Sequence, residues 1–161
     1  KKLEEILENN KSPLIILLDG VTDTRNFGAI IRTAAATKTN TIVVSTNNSA
    51  PINDDVIKTS AGGVFKIPIS KVDNLKDAIY LLKSNNIEVI ALTEKANDLI
   101  YNYKLNKPLS IILGSEDKGI SKGILKIVDK KVKIPMENTS DSLNVSVACG
   151  VTLFEIMRQR Q

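Results

Sequence analysis

The chain has 161 residues, 42% of them hydrophobic, which suffices for one globular domain with a buried core and leaves no room for a second. With no histidine and a single cysteine, Cys149, it excludes Ser-His and Cys-His catalysis, histidine-based zinc chemistry and an internal disulfide. A net charge of +4 suits a polyanionic partner, while 4% aromatic residues and no tryptophan argue against an aromatic platform for stacking bases.

Residues 1–10 read as a short charged helix, and a first residue Lys1 leads us to expect a chain that starts inside a longer protein, with 1–11 the end of a linker. From residue 12 onward, short β-branched runs alternate with amphipathic stretches. In chain order the pattern predicts strands at 14–18, 41–45, 63–67, 88–92, 110–113 and 132–134, and helices at 27–37, 54–60, 74–85, 122–129 and 143–158. That alternation predicts a parallel sheet with helices on both faces and a site at the carboxyl ends of the strands. The loops after Leu18, Leu92, Leu113 and Ile134 should then share one edge. No apolar run is long enough to cross a bilayer, and a soluble, cytoplasmic protein is expected.

Three stretches carry residues that plain packing does not demand. In the first, from Asp19 to Ala34, a strand ends in Asp-Gly, a polar turn follows, and Asn26 can cap a helix that carries Arg32 in its second turn. Alone, this is a capped helix with a surface arginine. In the second, Leu113-Gly114-Ser115-Glu116 continues a buried strand into a turn where Gly114 lets the backbone pass close to a ligand; Ser121 is a candidate cap for the next helix. Neither a phosphate-loop Gly-Lys-Ser/Thr nor a dinucleotide Gly-x-Gly-x-x-Gly is present. In the third, a long polar loop after Ile134-Pro135-Met136 leads through Ser142 into a helix with Asn144 in its first turn, where burying an unpaired amide would be costly.

Taken in order, Asp19-Gly20-Val21 with Asn26, Gly28, Ala29 and Arg32, then Leu113 to Glu116 with Gly119, then Ile134 to Met136 with Ser142 to Ser146, resemble the three motifs of the SpoU (TrmH) family of RNA ribose 2'-O-methyltransferases. The likeness spans about residues 14–158, and is nearest to the branch that methylates a guanosine of 23S ribosomal RNA. It departs from the family pattern at Thr24, Phe27 and Asp117, where Pro, Leu and Gly are usual. The resemblance implies a Rossmann-like α/β domain of the SPOUT class over residues 12–161, with a deep C-terminal trefoil knot, working as a homodimer behind a small N-terminal RNA-binding domain. It implies S-adenosylmethionine as cofactor, without metal, held around Thr93, Leu113, Gly114, Ile134, Met136 and Leu143. Asn26, Arg32, Glu116, Ser142 and Asn144 would form the catalytic side, with Arg25, Arg32 and Lys118 toward RNA.

Since a guanidinium keeps its proton at neutral pH, Arg32 is expected to clamp the target's phosphate and 2'-hydroxyl rather than act as a base; a deprotonated Arg32 is the rival. Ser142 and Asn144 would orient the nucleophile, and Glu116 would orient Arg32 or Asn26. Lys118, Lys122 and Lys126 fall at helical spacing and form either a phosphate-attracting or a merely solvated face. Cys149, inside the last apolar helix, reads as packing. That helix is apolar over more than one stripe from Leu143 to Met157, which predicts a covering partner. Alternatives to the ribosomal reading are a transfer RNA substrate and a non-catalytic RNA-binding module; a dinucleotide oxidoreductase fails on the missing glycines. No DNA or membrane partner is expected.

Overall fold

The computed structural model describes residues 3–138 and 142–161. Thr139, Ser140 and Asp141, part of the third stretch, lie outside the described residues. Seven strands form one sheet: β1 (Leu14–Asp19), β2 (Thr41–Ser45), β3 (Ile69–Val72), β4 (Glu88–Leu92), β5 (Asp98–Leu99), β6 (Leu109–Gly114) and β7 (Lys130–Lys133). Their order is β3-β2-β1-β6-β4-β7-β5, and every pairing is parallel. The helices are α1 (Leu3–Glu8), α2 (Thr24–Ala36), α3 (Asp54–Thr59), α4 (Leu75–Ser84), α5 (Lys122–Leu125) and α6 (Val145–Arg160).

Strands covered on both faces must be apolar throughout, and β1, Leu-Ile-Ile-Leu-Leu-Asp, is buried over its first five residues. Its side chains alternate between two cores. Leu14, Ile16 and Leu18 face Phe27, Ile30 and Ile31 of α2 and Cys149, Leu153 and Ile156 of α6. Ile15 and Leu17 face Ala78, Ile79 and Leu82 of α4, with Ile124 of α5 and Leu3 of α1. The expected parallel sheet between two helical layers is therefore present, and its carboxyl edge is set by register: Asp19 lies beside Gly114, and Leu92 beside Val132.

Four local expectations are corrected. Residues 63–67 are not a strand: Ala61 and Gly62 take positive φ, a single 3-10 turn follows over Gly63–Phe65, and the strand begins after Pro68. Helix α5 stops at Leu125 rather than 129, because the Asp129 carboxylate accepts from Val89 N (2.8 Å) while Asp129 N donates to Val89 O (2.8 Å). That exchange draws the chain onto the sheet, so β7 starts at Lys130. At its other end α5 begins only at Lys122, so Lys118, in the preceding turn, shares no helical row with Lys122 and Lys126. Helix α2 begins at Thr24, capped by Asp23, which accepts from Arg25 N (2.8 Å) and Asn26 N (3.0 Å). Asn26 is thus not the cap, Arg25 lies in the first helical turn rather than a loop, and Arg32 sits in the third turn. Asn144, not Ser142, caps α6, accepting from Ser146 N (2.9 Å) and Val147 N (3.4 Å).

Candidate active site

A cavity of about 250 Å3 opens at the carboxyl ends of β4, β6 and β7, between the loops that leave those strands and the start of α6. Thr93, Leu113, Gly114, Ile134, Met136 and Leu143 all line it. So do Glu116, Lys118 and Ser142, and also Glu94, Lys95, Asp117, Val145 and Ala148, which the sequence reading did not single out. The wall over β6 is a tight turn. Ser115 N donates to Asp19 O (3.2 Å), Gly119 N returns to Ser115 O (2.8 Å), and Gly119 has φ +66°. A Cβ on Gly114 would lie 2.2 Å from the Gly119 carbonyl carbon and 2.4 Å from Ile120 N, so no side chain fits there. The Asp19 carboxylate fastens the far end of the same turn by accepting from Ser121 N (2.8 Å). Ser121 itself makes no side-chain cap.

Three candidates from three distant segments meet on the rim. Asn144 Nδ2 donates to Glu116 Oε1 (2.6 Å) and to Asn26 Oδ1 (3.1 Å), and Val145 N also donates to Glu116 Oε1 (3.1 Å). A carboxylate at a helix N-terminus is favoured by the free N–H groups and the helix dipole. Asn144 Oδ1 is taken by the cap and by the Ser146 hydroxyl. With both amide hydrogens and its oxygen committed, Asn144 holds the cluster together and has no donor to spare. Glu116 is held by Asn144 and the start of α6; of the two residues it was expected to orient, Asn26 is joined to it through Asn144, and among the described residues no hydrogen bond links it to Arg32.

Arg32, Arg25 and Lys118 are exposed, and among the described residues none of the three forms an ion pair. Arg25 and Arg32 are seven residues apart on α2 and share one stripe facing water. The chain therefore brings Asn26, Glu116 and Asn144 together, places Ser142 on the cavity wall, and leaves Arg32 outside this cluster. Cys149 is fully buried, and burial pushes its thiol up to about 12, so it serves as core. Among the described residues no group of side chains could hold a metal ion, and no helix is long and apolar enough to cross a membrane. The sequence marks Asp19 as the polar end of a buried strand but assigns no cap to Asp23 and no clasp to Asp19, whose partner stands 102 positions away.

Comparison with known proteins bears on this arrangement. The model of the SpoU rRNA Methylase family matches residues 13–154. The chain is 40% identical over 159 residues to a Haemophilus influenzae protein named 23S rRNA (guanosine-2'-O-)-methyltransferase RlmB, covering 98% of this chain and 65% of that one. It therefore spans a little under two thirds of the length of the curated relatives it matches. Among solved structures, the TrmH/SpoU tRNA modifying enzyme of A. aeolicus superposes with a TM-score of 0.84 at 33% identity over 98% of this chain and 80% of that one. The SpoU methyltransferase AviRb of Streptomyces viridochromogenes, in complex with AdoMet, superposes at 0.91 with 25% identity over 99% and 64%.

Proposed function

The chain belongs to the SpoU rRNA methylase family, and from that premise we propose that it is the catalytic domain of an S-adenosylmethionine-dependent enzyme that methylates the ribose 2'-hydroxyl of a guanosine in 23S ribosomal RNA. The observation that carries the reading is the convergence of Asn26, Glu116 and Asn144 on the rim of a cavity lined by all six residues assigned to the cofactor. The cavity suits the cofactor chemically. Leu92, Leu113, Ile134 and Leu143 offer apolar walls for an adenine ring, and Glu94, Glu116 and Asp117 offer carboxylates for a molecule bearing a sulfonium and an amino group. When bound, S-adenosylmethionine supplies an electrophilic methyl group.

The chain's own residues then position the nucleophile, which alone accounts for a large part of the acceleration expected of in-line attack. Because Asn144 is fully committed, orienting the 2'-hydroxyl falls to Ser142 and to Glu116 Oε2, the oxygen that the cluster leaves unused. Arg32 supplies a planar fork for phosphate and hydroxyl together. Val147 and Phe154 of α6, seven residues apart, are each 50% exposed. They support a homodimer whose partner covers this face. The family's trefoil knot would involve the C-terminal part of the chain, with β7 and α6. The reading includes an RNA-binding domain ahead of this one, joined through residues 1–11, with which the greater length of the relatives agrees, and action on ribosomal RNA in the cytoplasm.

Calorimetric titration should give S-adenosylmethionine binding that is unaffected by a chelator and not displaced by NAD. Mass mapping of 23S ribosomal RNA from cells lacking the gene should show one guanosine ribose without its methyl group. Loss of a methyl group from transfer RNA instead would favour the substrate class that the A. aeolicus neighbour's name records.

A further inference from the structure

A second cavity, of about 280 Å3, opens at the carboxyl ends of β1, β2 and β3, on the other side of the Glu116 turn. Its floor is Ser45, Leu75 and Ile124, and its rim carries Asp73, Lys76 and Asn48. Ser45 ends β2 and is only 7% exposed, yet among the described residues its hydroxyl has no hydrogen-bond partner. That hydroxyl is not sealed in the interior, since Arg160 Nε alone among the described side-chain atoms is buried without a partner; it opens into the cavity, where water or a ligand meets it. Asp73 and Lys76 form no ion pair among the described residues, with each other or elsewhere. The Lys76 ammonium reaches across from α4 to α5, where a Cβ on Gly123 would lie 2.7 Å from Nζ. The Asn48 amide stands over Gly20, whose absent Cβ would lie 3.2 Å from Nδ2. One Asp19 oxygen is spent on Ser121 N.

The lining has two carboxylates, Asp19 and Asp73, against one ammonium, which disfavours a phosphate. It offers instead a mainly polar lining with a carboxylate acceptor and ammonium and amide donors above the small apolar contact of Leu75 and Ile124, the complement of an uncharged ring with hydrogen-bonding edges. Guanine fits this set. Its Watson–Crick edge presents adjacent N–H donors to one carboxylate, and its O6 and N7 accept from donors such as Lys76 and Asn48. Adenine and cytosine present no such pair of adjacent ring and exocyclic donors.

Resting on the reading of an RNA substrate, we propose that this cavity is a base subsite that takes an unstacked guanine of the RNA, with Asp73 as the discriminating acceptor and Ser45 as the buried contact. The two cavities have no lining residue in common, and Asp19 connects them. Asp19 accepts from Ser115 N through its carbonyl and from Ser121 N through its carboxylate, so a guanine seated here bears on the turn that carries Glu116.

The test titrates the chain with guanosine, adenosine and cytidine while S-adenosylhomocysteine saturates the cofactor cavity, reading backbone amide shifts by NMR. Guanosine should bind at roughly millimolar Kd, shift Ser45, Leu75 and Lys76, and exceed adenosine and cytidine by about tenfold, the discrimination of one good bidentate pair. Asp73→Asn, at an exposed position where folding is not at risk, should remove that preference and leave S-adenosylhomocysteine affinity unchanged. Ser45→Ala should weaken guanosine by a few-fold, the scale of one hydrogen bond. Equal binding of the three nucleosides, shifts confined to the first cavity, inorganic phosphate competing with guanosine, or an unaltered Asp73→Asn variant would each overturn the subsite. Failure of S-adenosylhomocysteine to bind would instead overturn the methyltransferase reading, and is read independently in the same samples.

Discussion

The rim of the cofactor cavity and the outer stripe of α2 hold candidate residues in opposite states. On the rim, Glu116, Asn144 and Asn26 come from three separate elements and satisfy one another by hydrogen bonds of 2.6 and 3.1 Å through a single amide nitrogen. On the stripe, Arg25 and Arg32 stand in water without an ion pair among the described residues. A group that is already paired is fixed before any ligand arrives, and the protein bears the cost of ordering it on folding. An unpaired guanidinium keeps its hydrogen-bonding capacity for something that comes later. On the proposed function the two regions would divide the work, one shaping the site and the other engaging an anion.

The largest expected effect probes the stripe. Arg32→Lys keeps the charge but replaces a planar fork by a point donor. Turnover on RNA should fall by roughly a hundredfold or more, the scale of losing one transition-state donor, while cofactor affinity stays within a factor of about three. Near wild-type turnover with only an altered salt dependence would make Arg32 an ordinary phosphate contact and erase the difference between it and Arg25.

The next effect probes the rim. Gly114→Ala places a methyl group 2.2 Å from backbone at Gly119, which cannot move aside as a side-chain tip would. The turn must shift, and overpacking of this kind costs about 1–3 kcal/mol, or roughly tenfold to a hundredfold in cofactor affinity if the strain is relieved there. Calorimetry checks this. Unchanged affinity together with a lowered melting temperature would mean that the turn supports the fold without shaping the cavity.

Much of this was legible in the sequence. The strands at 41–45 and 88–92 match β2 and β4, because a buried parallel strand must be β-branched or aliphatic throughout, and such runs are short and conspicuous. The six residues assigned to the cofactor line one cavity because Thr93, Leu113, Gly114, Ile134 and Met136 end or follow β4, β6 and β7, parallel strands end on the same edge, and Leu143 stands just before α6. The misses are positions where a distant partner decides. Nothing near Asp129 announces that Val89 will end α5, and the two-residue strand β5 is too short to carry a pattern. Asp23 took the cap expected of Asn26 and so freed Asn26 for Asn144. The second cavity was invisible for the same reason: Ser45 at a strand end, Asp73 in a loop and Lys76 in a first helical turn are ordinary residues locally, and only the strand order brings them together.

A smaller effect comes from the far end of α6, which serves as a control on the end that carries Asn144. The nearly buried Glu155 carboxylate accepts from Arg158 (2.8 and 2.9 Å) and from Gln159 (2.7 Å), and Gln159 in turn ties the helix to Tyr103 and Leu105. The Arg158 hydrogen bonds hold its pKa below the ordinary carboxylate value. With the folded value depressed, the stabilisation is present above the unfolded pKa of about 4.3 and is lost as pH falls through the lower folded value. Glu155→Gln should therefore lower the melting temperature by about 2–4 °C at pH 7, the equivalent of about 1 kcal/mol in a chain this long, and the difference should close as the solution is acidified below that range. Cofactor affinity should not change, since this anchor is remote from the cavity. A difference that persists undiminished in acid would assign the loss to packing rather than to the ionised carboxylate.

The smallest effect tests whether the stripe is uniform. Arg25 shares its face with Arg32 but lies in the first turn of α2, where only its backbone N–H is held, by Asp23. As a single phosphate contact it contributes mainly through counterion release, so Arg25→Ala should weaken RNA binding by only a few-fold at physiological salt and lower the slope of log affinity against log salt by about 1. Turnover at saturating RNA should be unchanged, because a contact made equally in ground and transition states affects binding and not the chemical step. Filter binding across a salt series, paired with single-turnover methylation, separates the two outcomes. If Arg25→Ala depresses turnover as Arg32→Lys is expected to, the two arginines act as one clamp and the division within α2 disappears. If the slope does not move, Arg25 is a solvated surface charge, and the anion-engaging region shrinks to Arg32.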